Sequence, residues 1–495
     1  MEEDSGGPAG AFGSEAGLRR AGAGVKMARL TMEMPEALAA PAPVRTDADD
    51  DQLAKLLAER DELNRQHAAL LAQIRQHDPE FAPDQPVAPV SFAQAQALLP
   101  ADVPTAIVQF TLTRERGLAL VITGNDILKV PIPDLAEQQG WELANEWLRN
   151  YYEGRDGDTA AWMRRWEQVL PGLLRGVAAK ALQPVMNRIQ GLGLRRLVLV
   201  PHRALHLFPL HACPLADGSL LTDHFEIVYA PSLSLLHRCA SRPRPEREQL
   251  LLVQNPTGDL AYSEVEGRGL QRLYGSSCLA LERGRATKES IFKHAETAHV
   301  THYTGHSYFH PKEPLQSALI LEGLSEQASS RWLRLRDAFT RLDLRRNRLA
   351  ILNGCESGVL FPDPVDEYVN LPTGFLYAGA ACVISTLWPV WDLSSALLMV
   401  RFHQIWKEDG RSDRIATALR QAQAWLRREI RSGPQLRDEV LPAFLKSVED
   451  EDLRRKCVAA ADEYARRFPD RPPFAHPIYW APFICSGLGY PLARP

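Results

Sequence analysis

A histidine and a cysteine in this chain each follow a run of strand-forming residues, and each stands next to a glycine. The two stretches read HVTHYTGHSYFH (299–310) and LAILNGCESG (349–358), which places His306 and Cys355 49 positions apart. A thiolate is a nucleophile, and a neighbouring imidazole can accept the thiol proton or lower the thiol pKa. The pair could therefore act as a catalytic dyad if the fold brings the two side chains together.

Short apolar runs separated by helical segments are the elements that would position this pair. They read QLLLVQNP (249–256), TAHVTHYTGH (297–306), LAILNGC (349–355) and ACVISTLW (381–388). Near-continuous apolar runs are typical of parallel strands buried on both faces. In such sheets chemistry occurs beyond the carboxyl ends of the strands, and His306 and Cys355 both fall at such ends.

The residues around the dyad suggest donors for an oxyanion. Gly305, Gly354 and Gly358 allow tight turns and close approach of a substrate backbone. The backbone N–H groups of Cys355 and of Ser307 could then form an oxyanion hole, in which each donor commonly contributes about 3 kcal/mol.

Less specific interpretations of the same residues stay open. A single cysteine at a strand end can be a small buried hydrophobe. Four histidines, at 299, 302, 306 and 310, could be metal ligands, but strand-like spacing would scatter them over two faces. We therefore predict no metal and no cofactor, and we expect His302 to be a buried, hydrogen-bonded histidine.

The composition is that of a folded protein, with 45% hydrophobic and 24% charged residues and a net charge of −4. The sequence contains no stripe of basic residues that would indicate nucleic-acid binding. The seven cysteines form no C-x-x-C pair, so neither zinc nor a disulfide framework is predicted, and a cytoplasmic location is expected. The uncharged run 368–391 contains glycines and prolines, and we interpret it as a buried helix and strand rather than a membrane span.

The chain divides into five predicted segments. Residues 1–50 are predicted to be disordered, and Met27 could be the true start. Residues 51–78 have an apolar helical face and predict a coiled coil or a docking helix, and 79–102 form a proline-containing linker. Residues 103–245 predict an N-terminal α/β half with a β meander, a helical region near 134–190 and a strand at 196–202. Residues 246–495 form the half with the dyad.

Several blocks, in this order, resemble the CHAT domain family, caspase-like cysteine peptidases related to separase and found mostly in bacteria. The blocks are LVLVPHRALHLFPLHACPL with YAPSLSLL (197–236), HVTHYTGHSYF, LAILNGCESG, GFLYAGAACVISTLWPVWD (374–392) and HPIYWAPFICSG (476–487). Caspases also place the histidine about fifty residues before the cysteine. The resemblance implies an α/β fold, a caspase-like three-layer sandwich with a mainly parallel sheet and flanking helices, preceded by an N-terminal helix and a β meander.

The resemblance also implies roles for the dyad. His306 would be the general base and Cys355 the nucleophile of peptide-bond hydrolysis through an acyl-enzyme. The family pattern requires no third, buried carboxylate. Ser307 departs from the small residue usual after the histidine, although its N–H is retained. Relatives of this kind often serve in bacterial stress or antiphage programmes.

Specificity is predicted from acidic residues near the dyad. In separase-like enzymes an acid beyond the strand after the cysteine accepts a basic P1 side chain, and Asp392 stands at that position. The alternative is that Asp392 caps the helix that follows. Asp366, with Asp363 and Glu367 in the FPDPVDEY loop, is a further candidate.

Two functions follow from these observations. The first is a cysteine endopeptidase that cuts a partner protein and is regulated by a protein partner or by self-association through residues 51–76. The second is a caspase-like scaffold that acts by protein binding through its N-terminal helix. Serine and metal-dependent hydrolases are disfavoured, because G-x-S-x-G and H-E-x-x-H motifs are absent from the sequence.

Overall fold

The computed structural model describes residues 62, 89–100, 102–155, 158–242, 249–311, 313–322, 331–359, 369–410 and 413–492. Within these ranges the dominant feature is an 11-stranded sheet. Its strands are β1 (Thr105–Leu112), β2 (Gly117–Ile122), β3 (Ile127–Ile132), β4 (Arg196–Val200), β5 (Glu226–Tyr229), β6 (Leu250–Gln254), β7 (Cys278–Glu282), β8 (Val300–Thr304), β12 (Leu349–Asn353), β13 (Cys382–Thr386) and β14 (Phe483–Gly487). A three-stranded sheet consists of β9 (Ser307–Tyr308), β10 (Ala318–Leu319) and β11 (Leu333–Arg334).

The large sheet has the strand order β3-β2-β1-β4-β5-β14-β13-β12-β8-β6-β7. Most neighbouring strands run parallel. The antiparallel pairs are β1 with β2, β2 with β3, and β13 with β14. The first two form the predicted meander at one edge. The central strands β12 and β13 are buried along their whole length, as their apolar sequences predict.

Helices flank the sheet. They are α1 (Phe92–Ala97), α2 (Glu137–Tyr152), α3 (Thr159–Val177), α4 (Gln183–Ile189), α5 (Leu221–His224), α6 (Leu233–Ala240), α7 (Ala261–Tyr274), α8 (Lys288–Ala295), α9 (Leu335–Thr340), α10 (Leu371–Ala378), α11 (Asp392–Glu408), α12 (Ile415–Ala424), α13 (Gly433–Gln435), α14 (Leu441–Phe444), α15 (Glu451–Arg467) and α16 (Pro477–Trp480). Three π-helical segments interrupt them, at Ala178–Leu182, Trp425–Glu429 and Leu436–Val440. The fold is thus the mixed α/β arrangement that was predicted, with a mainly parallel sheet between helices.

The two predicted halves of the chain share the large sheet. Strands β1 to β5 come from residues before 245 and strands β6 to β14 from residues after it. The last strand, β14, joins them, because it lies between β5 and β13. The described residues from Val90 onward belong to one compact unit. The boundary at 245/246 is therefore a division of the sequence across a continuous sheet, and as a domain boundary it stays a prediction.

Two predicted segments fall largely outside the described residues. These are the disordered tail at 1–50 and the helix at 51–78, of which only Glu62 is described. Among the residues that are described, no helix combines the length and the apolar character that crossing a membrane requires.

The parallel strands bring several loops to the same edge of the sheet. The carboxyl ends of β6, β8, β12 and β13 lie side by side there, because these strands are neighbours and run in one direction. Each end is followed by a loop that carries polar residues. This edge is where the candidate site forms.

Candidate active site

Cys355 and His306 follow neighbouring strand ends. Strands β8 and β12 pair in parallel with Thr304 opposite Asn353. The first residue after β8, Gly305, donates its N–H to the Asn353 carbonyl at 3.1 Å. Cys355 and His306 each stand two positions beyond these paired residues, and both line one cavity at the carboxyl edge. Both residues therefore lie at the edge of the sheet where the sequence placed them, and their action as a dyad stays a prediction.

Two glycines allow the loops to come this close. A Cβ at Gly354 would lie 2.9 Å from the Gly305 carbonyl oxygen and 2.9 Å from the Ser307 Oγ. A Cβ at Gly305 would lie 2.7 Å from the hydroxyl of Tyr303. The same hydroxyl donates hydrogen bonds to the carbonyls of His306 and Ile320, the latter at 2.9 Å. A side chain at Gly354 would separate the histidine loop from the cysteine loop, and one at Gly305 would displace Tyr303.

A carboxylate orients His306. Its Nε2 lies 3.1 Å from Oδ2 and 3.2 Å from Oδ1 of Asp259, in the loop after β6. Burial alone would raise the pKa of Asp259, but hydrogen bonds from His306 and from Thr257 lower that pKa to about 2. The carboxylate is therefore ionised and accepts the Nε2 proton. This arrangement favours the tautomer whose Nδ1 has a free lone pair and can act as a base.

The thiol of Cys355 is neutral in this conformation. Burial raises its pKa to about 12, a hydrogen bond from the Val390 backbone N–H lowers it, and the negative charge of Asp392 raises it. Such a thiol would have to give up its proton to a base before it could act as a nucleophile.

The loop that follows the histidine also contacts the nucleophile. The Ser307 hydroxyl donates a hydrogen bond to the carbonyl of Cys355. Ser307 begins β9 and stands opposite Leu319 of β10, while the Ile320 N–H donates to the His306 carbonyl at 2.9 Å. Since hydrogen-bonded and non-bonded pairs alternate in antiparallel strands, the Ser307 N–H points away from β10. The serine that departs from the family pattern thus bridges the two loops.

A buried glutamate forms the floor of the site. Glu266 of α7 is 1% exposed and also lines the cavity. Its carboxylate accepts hydrogen bonds from Thr304 Oγ1 at 2.8 Å and from Asn353 Nδ2 at 2.8 Å. It also lies 2.7 Å from the Nε2 of His302. Glu266 therefore ties together the ends of β8 and β12, the two strands that carry the dyad.

A chain of polar groups continues behind this floor. The Nδ1 of His302 lies 3.0 Å from the Nε2 of His403, whose Nδ1 lies 2.9 Å from the hydroxyl of Tyr274. Burial lowers the pKa of His403 well below its ordinary value, so His403 is neutral. His302 is fully buried, as expected from the sequence. Each ring nitrogen in the chain thus has a partner.

The other histidines of this stretch have separate roles. The Nδ1 of His299 accepts the Gln249 N–H at 3.2 Å, and the Nδ1 of His310 accepts the Glu313 N–H at 2.9 Å. No group of three or more His, Cys, Asp and Glu side chains suited to a metal ion occurs among the described residues.

Asp392 lies in the same cavity and does not cap a helix. Helix α11 begins at Asp392 itself, and Trp391 occupies the N-cap position without a side-chain hydrogen bond. The alternative that Asp392 is an N-cap was wrong, because the helix starts at Asp392, one residue earlier than an N-cap at that position requires. Burial raises the pKa of Asp392 to about 7, with His306 lowering it and the charges of Asp259 and Glu266 raising it.

The second specificity candidate, Asp366, lies outside the described residues together with Asp363 and Glu367. The tryptophans near the site are packing residues. Trp388 is fully buried, and Trp391 packs against Tyr479 with ring centroids 5.0 Å apart.

The cavity of the dyad is small. Its volume is about 40 Å³, which holds a few water molecules. It is lined by the carboxylates of Glu266 and Asp392, from two helices, as well as by Cys355 and His306. A peptide side chain as large as arginine could enter it only if the surrounding loops moved.

Sequence reasoning missed Asp259 and Glu266. Asp259 follows the predicted strand at 249–256, so its position after a strand end was an available signal. Glu266 lies inside a helix, and nothing in the local sequence pattern indicates that its carboxylate accepts hydrogen bonds from residues at two strand ends. Only the packing of α7 against the sheet brings it there.

Comparisons with known proteins agree with this architecture. A model of the CHAT domain matches residues 172–488. The chain is similar to separin of Emericella nidulans, with 28% identity over 204 residues that cover 39% of this chain and 8% of separin.

Among solved structures, the chain is similar to separase of Saccharomyces cerevisiae in its complex with securin. The TM-score is 0.50 at 11% identity, over 80% of this chain and 30% of the separase chain. A more distant likeness, with a TM-score of 0.37 at 9% identity over 67% of this chain and 76% of the other, is to the Arg specific cysteine proteinase gingipain R. The likeness to separase shows a caspase-like fold, and this chain spans only a small part of the length of separin and separase.

Proposed function

Since this chain belongs to the CHAT domain family, we propose that it is a cysteine endopeptidase that uses Cys355 and His306. One observation carries the proposal. The two residues line a single cavity at the carboxyl edge of the sheet, and Asp259 holds the Nε2 of His306 so that Nδ1 is the basic nitrogen. A structural cysteine would need no oriented base beside it.

The chemistry follows from these positions. His306 Nδ1 accepts the Cys355 proton, and the resulting thiolate attacks the carbonyl carbon of the scissile peptide bond. The carbonyl oxygen becomes an oxyanion, for which the N–H groups of Cys355 and Ser307 are the proposed donors. His306 then gives its proton to the leaving amine, and a water molecule, deprotonated by His306, hydrolyses the thioester. Asp259 stabilises the imidazolium in both steps.

For specificity we propose a substrate with arginine or lysine at P1. Asp392 and Glu266 bring two carboxyl groups to this cavity, and Asp259 contacts His306, which also lines it. Burial and the two neighbouring charges oppose ionisation of Asp392, and a bound cation would remove that penalty. An Arg guanidinium also matches a carboxylate through paired hydrogen bonds. Asp366 stays a second proposed specificity residue.

Regulation by a protein partner is part of the proposal. A neutral thiol and a cavity of about 40 Å³ are features of a resting site that must open before a substrate binds. The solved separase is in complex with securin, which makes a protein partner a reasonable expectation here. The predicted helix at 51–76 is the proposed contact, and a role in bacterial stress or antiphage defence is the proposed setting.

The same resting features favour a second candidate, a caspase-like scaffold that acts by protein binding. The two functions differ in whether the thiol can be made reactive. We would treat the protein with irreversible peptidyl electrophiles carrying P1 Arg or P1 Leu and read the modified residue by mass spectrometry. The variants are Cys355→Ala and His306→Ala, with Cys278→Ala as the matched control, because Cys278 is another partly exposed thiol of the described chain.

A peptidase predicts labelling confined to Cys355, abolished by His306→Ala, unchanged by Cys278→Ala and faster with P1 Arg. Labelling that continues undiminished in His306→Ala would show that the histidine is not the base. If Cys355 stays unlabelled in every variant, including after addition of cell extract as a source of partner, the scaffold function replaces the peptidase.

A further inference from the structure

The residue after the nucleophile has an unusual backbone. Glu356 has a φ of +60°, in the left-handed region that residues with a Cβ seldom adopt. It belongs to the turn that presents Cys355, which it follows directly in the chain. Whatever holds Glu356 in this conformation therefore also sets the direction of the Cys355 side chain.

Arg155 holds Glu356 from a distant part of the sequence. Its Nη1 lies 2.6 Å from Oε1 and its Nη2 lies 2.7 Å from Oε2 of Glu356, 201 positions further along the chain. The hydroxyl of Tyr151 donates a third hydrogen bond to the same carboxylate, at 2.5 Å. The Glu356 side chain is 10% exposed. A two-pronged pair of this kind fixes orientation as well as distance.

Aromatic side chains also hold Arg155 in place. Its guanidinium lies over the rings of Tyr151, Tyr152 and Trp162, at 5.2, 5.5 and 5.5 Å from their centroids. Trp162 Nε1 donates to the Tyr151 carbonyl at 2.5 Å, which joins the end of α2 to the start of α3. Burial would lower the pKa of Arg155, but the Glu356 carboxylate raises it above its ordinary value, so the guanidinium stays charged.

We propose that Arg155 is a positioning residue for the nucleophile: it holds Glu356 in the left-handed turn and neutralises the carboxylate beside the Cys355 thiol. The inference rests on the proposed peptidase function, since it concerns the same nucleophile. It also gives the N-terminal half of the chain a direct part in the site. A displacement of the turn between α2 and α3 would release the residue next to the nucleophile.

The charges around the thiol set the sign of the effect. The carboxylate of Glu356 raises the pKa of Cys355 and the guanidinium of Arg155 lowers it. Without Arg155, the uncompensated glutamate would disfavour the thiolate. Without Glu356, the uncompensated arginine would favour it. The charged or titratable groups that interact with Cys355 or line its cavity are Arg155, His306, Glu266, Glu356, Asp392 and Tyr303.

If the Arg155–Glu356 ion pair only joined the two halves of the chain, its removal would lower the stability of the protein without changing the reactivity of the Cys355 thiol. The test therefore measures thiol reactivity separately from folding. Variants Arg155→Gln, Arg155→Lys, Glu356→Gln and the double variant Arg155→Gln/Glu356→Gln are compared with Arg165→Gln. Arg165 is the matched control, because it pairs with Glu153 near the same turn and has no contact with Glu356.

The first readout is the rate of alkylation of Cys355 by iodoacetamide across pH 6 to 10, read at the Cys355 peptide by mass spectrometry. We expect Arg155→Gln to react about tenfold more slowly at a given pH, a displacement of the profile by about one pH unit. Glu356→Gln is expected to react faster than wild type, and the double variant to return towards the wild-type profile. Arg155→Lys keeps the charge, so its profile is expected to match wild type.

The second readout is hydrolysis of a short P1-Arg amide. We expect kcat to fall at least tenfold in Arg155→Gln and in Glu356→Gln with little change in KM, because substrate contacts are intact and the turn is not. Arg155→Lys is expected to recover only part of kcat, since lysine lacks the planar fork. Thermal unfolding of each variant shows that the compared proteins are folded at the assay temperature.

Coincident alkylation profiles for wild type and Arg155→Gln would overturn the inference, as would an equal displacement in Arg165→Gln. The alkylation readout needs no peptidase activity. If wild type hydrolyses no amide, even after addition of cell extract as a source of partner, while the profiles shift as expected, the proposed function fails and the control of the thiol by Arg155 stands. If wild type hydrolyses the amide and the alkylation profiles do not shift, the proposed function stands and the role of Arg155 fails.

Discussion

Replacing Asp259 tests the proposed mechanism most directly. The carboxylate lies 3.1 Å from the Nε2 of His306 and also accepts a hydrogen bond from Thr257. In Asp259→Ala the imidazole loses both its orientation and the negative charge that stabilises its protonated form. In Asp259→Asn the shape is kept and the charge is lost. Both variants leave the Cys355 thiol in place.

The size of the effect can be worked from the pKa of Asp259. It falls from 3.8 to about 2, and one pKa unit corresponds to about 1.4 kcal/mol of interaction. The shift therefore corresponds to at most about 2 kcal/mol. Part of that belongs to the hydrogen bond from Thr257, and solvent screening reduces the rest, because Asp259 is exposed. If the imidazolium formed during acylation loses about 1 kcal/mol of stabilisation, kcat falls by about fivefold.

The asparagine variant is expected to be at least as impaired as the alanine variant. The Thr257 hydroxyl donates to Oδ1 of Asp259 at 2.5 Å, which favours the amide oxygen at that position. The amide nitrogen then faces His306 and donates to Nε2, so the ring proton moves to Nδ1. A histidine in that tautomer cannot accept the Cys355 proton through Nδ1.

The assay is the pH dependence of kcat for a P1-Arg amide, with Asp126→Asn as a matched control. Asp126 is exposed in the turn between β2 and β3, so its substitution should leave kcat unchanged. Where turnover is too slow, the labelling rate of Cys355 by a peptidyl electrophile replaces kcat. A kcat within threefold of wild type in Asp259→Ala would refute the reasoning that Asp259 acts through His306.

The same substitution makes a prediction about stability. The folded-state pKa of Asp259 is depressed, so its contribution to stability is present above pH 3.8 and is lost as the pH falls towards 2. Wild type is therefore expected to be more stable than Asp259→Asn at pH 6, and the two should converge near pH 2. Chemical unfolding at both pH values measures the difference.

Two further predictions concern specificity and the glycine contact. Asp392 has a pKa of about 7, so the KM of a P1-Arg substrate is expected to fall as the pH rises through 7, because the ionised carboxylate binds the cation. Asp392→Asn should remove this pH dependence of KM and the preference for Arg over Leu at P1. An unchanged preference in that variant would contradict the role of Asp392 in specificity. Gly354→Ala places a Cβ 2.9 Å from the Gly305 carbonyl oxygen and should lower the labelling rate of Cys355 at least tenfold. The control is Gly176→Ala, inside α3 with open space around it, which should leave the labelling rate unchanged. Equal labelling rates in the two variants would show that the close approach of the loops does not matter for Cys355.

The dyad could be predicted from the sequence because its signals are local. An apolar run that ends in a glycine and a histidine or cysteine is visible in a single stretch, and the parallel arrangement follows from the helices between the runs. The strands β6, β8, β12 and β13 were predicted on this basis and are confirmed. The residues that contact the dyad or the strand ends that carry it, such as Asp259 and Glu266, have no such local signal.

Asp392 shows how a local pattern can mislead. An aspartate before an apolar helical run has the sequence of an N-cap, yet α11 begins at Asp392 and its side chain lines the cavity. The burial that raises the Asp392 pKa comes from other segments of the chain, and no sequence window contains them.

The sequence by itself determined the class of fold and the edge of the sheet at which the two residues of the proposed dyad lie, because strand periodicity and residue type are properties of short stretches. Only the tertiary structure decided which carboxylate orients His306, that Glu266 ties the two strand ends, and that Arg155 reaches across 201 positions to the residue after the nucleophile. These contacts depend on how α7 and the turn after α2 pack against the sheet. Packing of that kind is set by the whole chain at once, since each contact joins residues that are far apart in sequence.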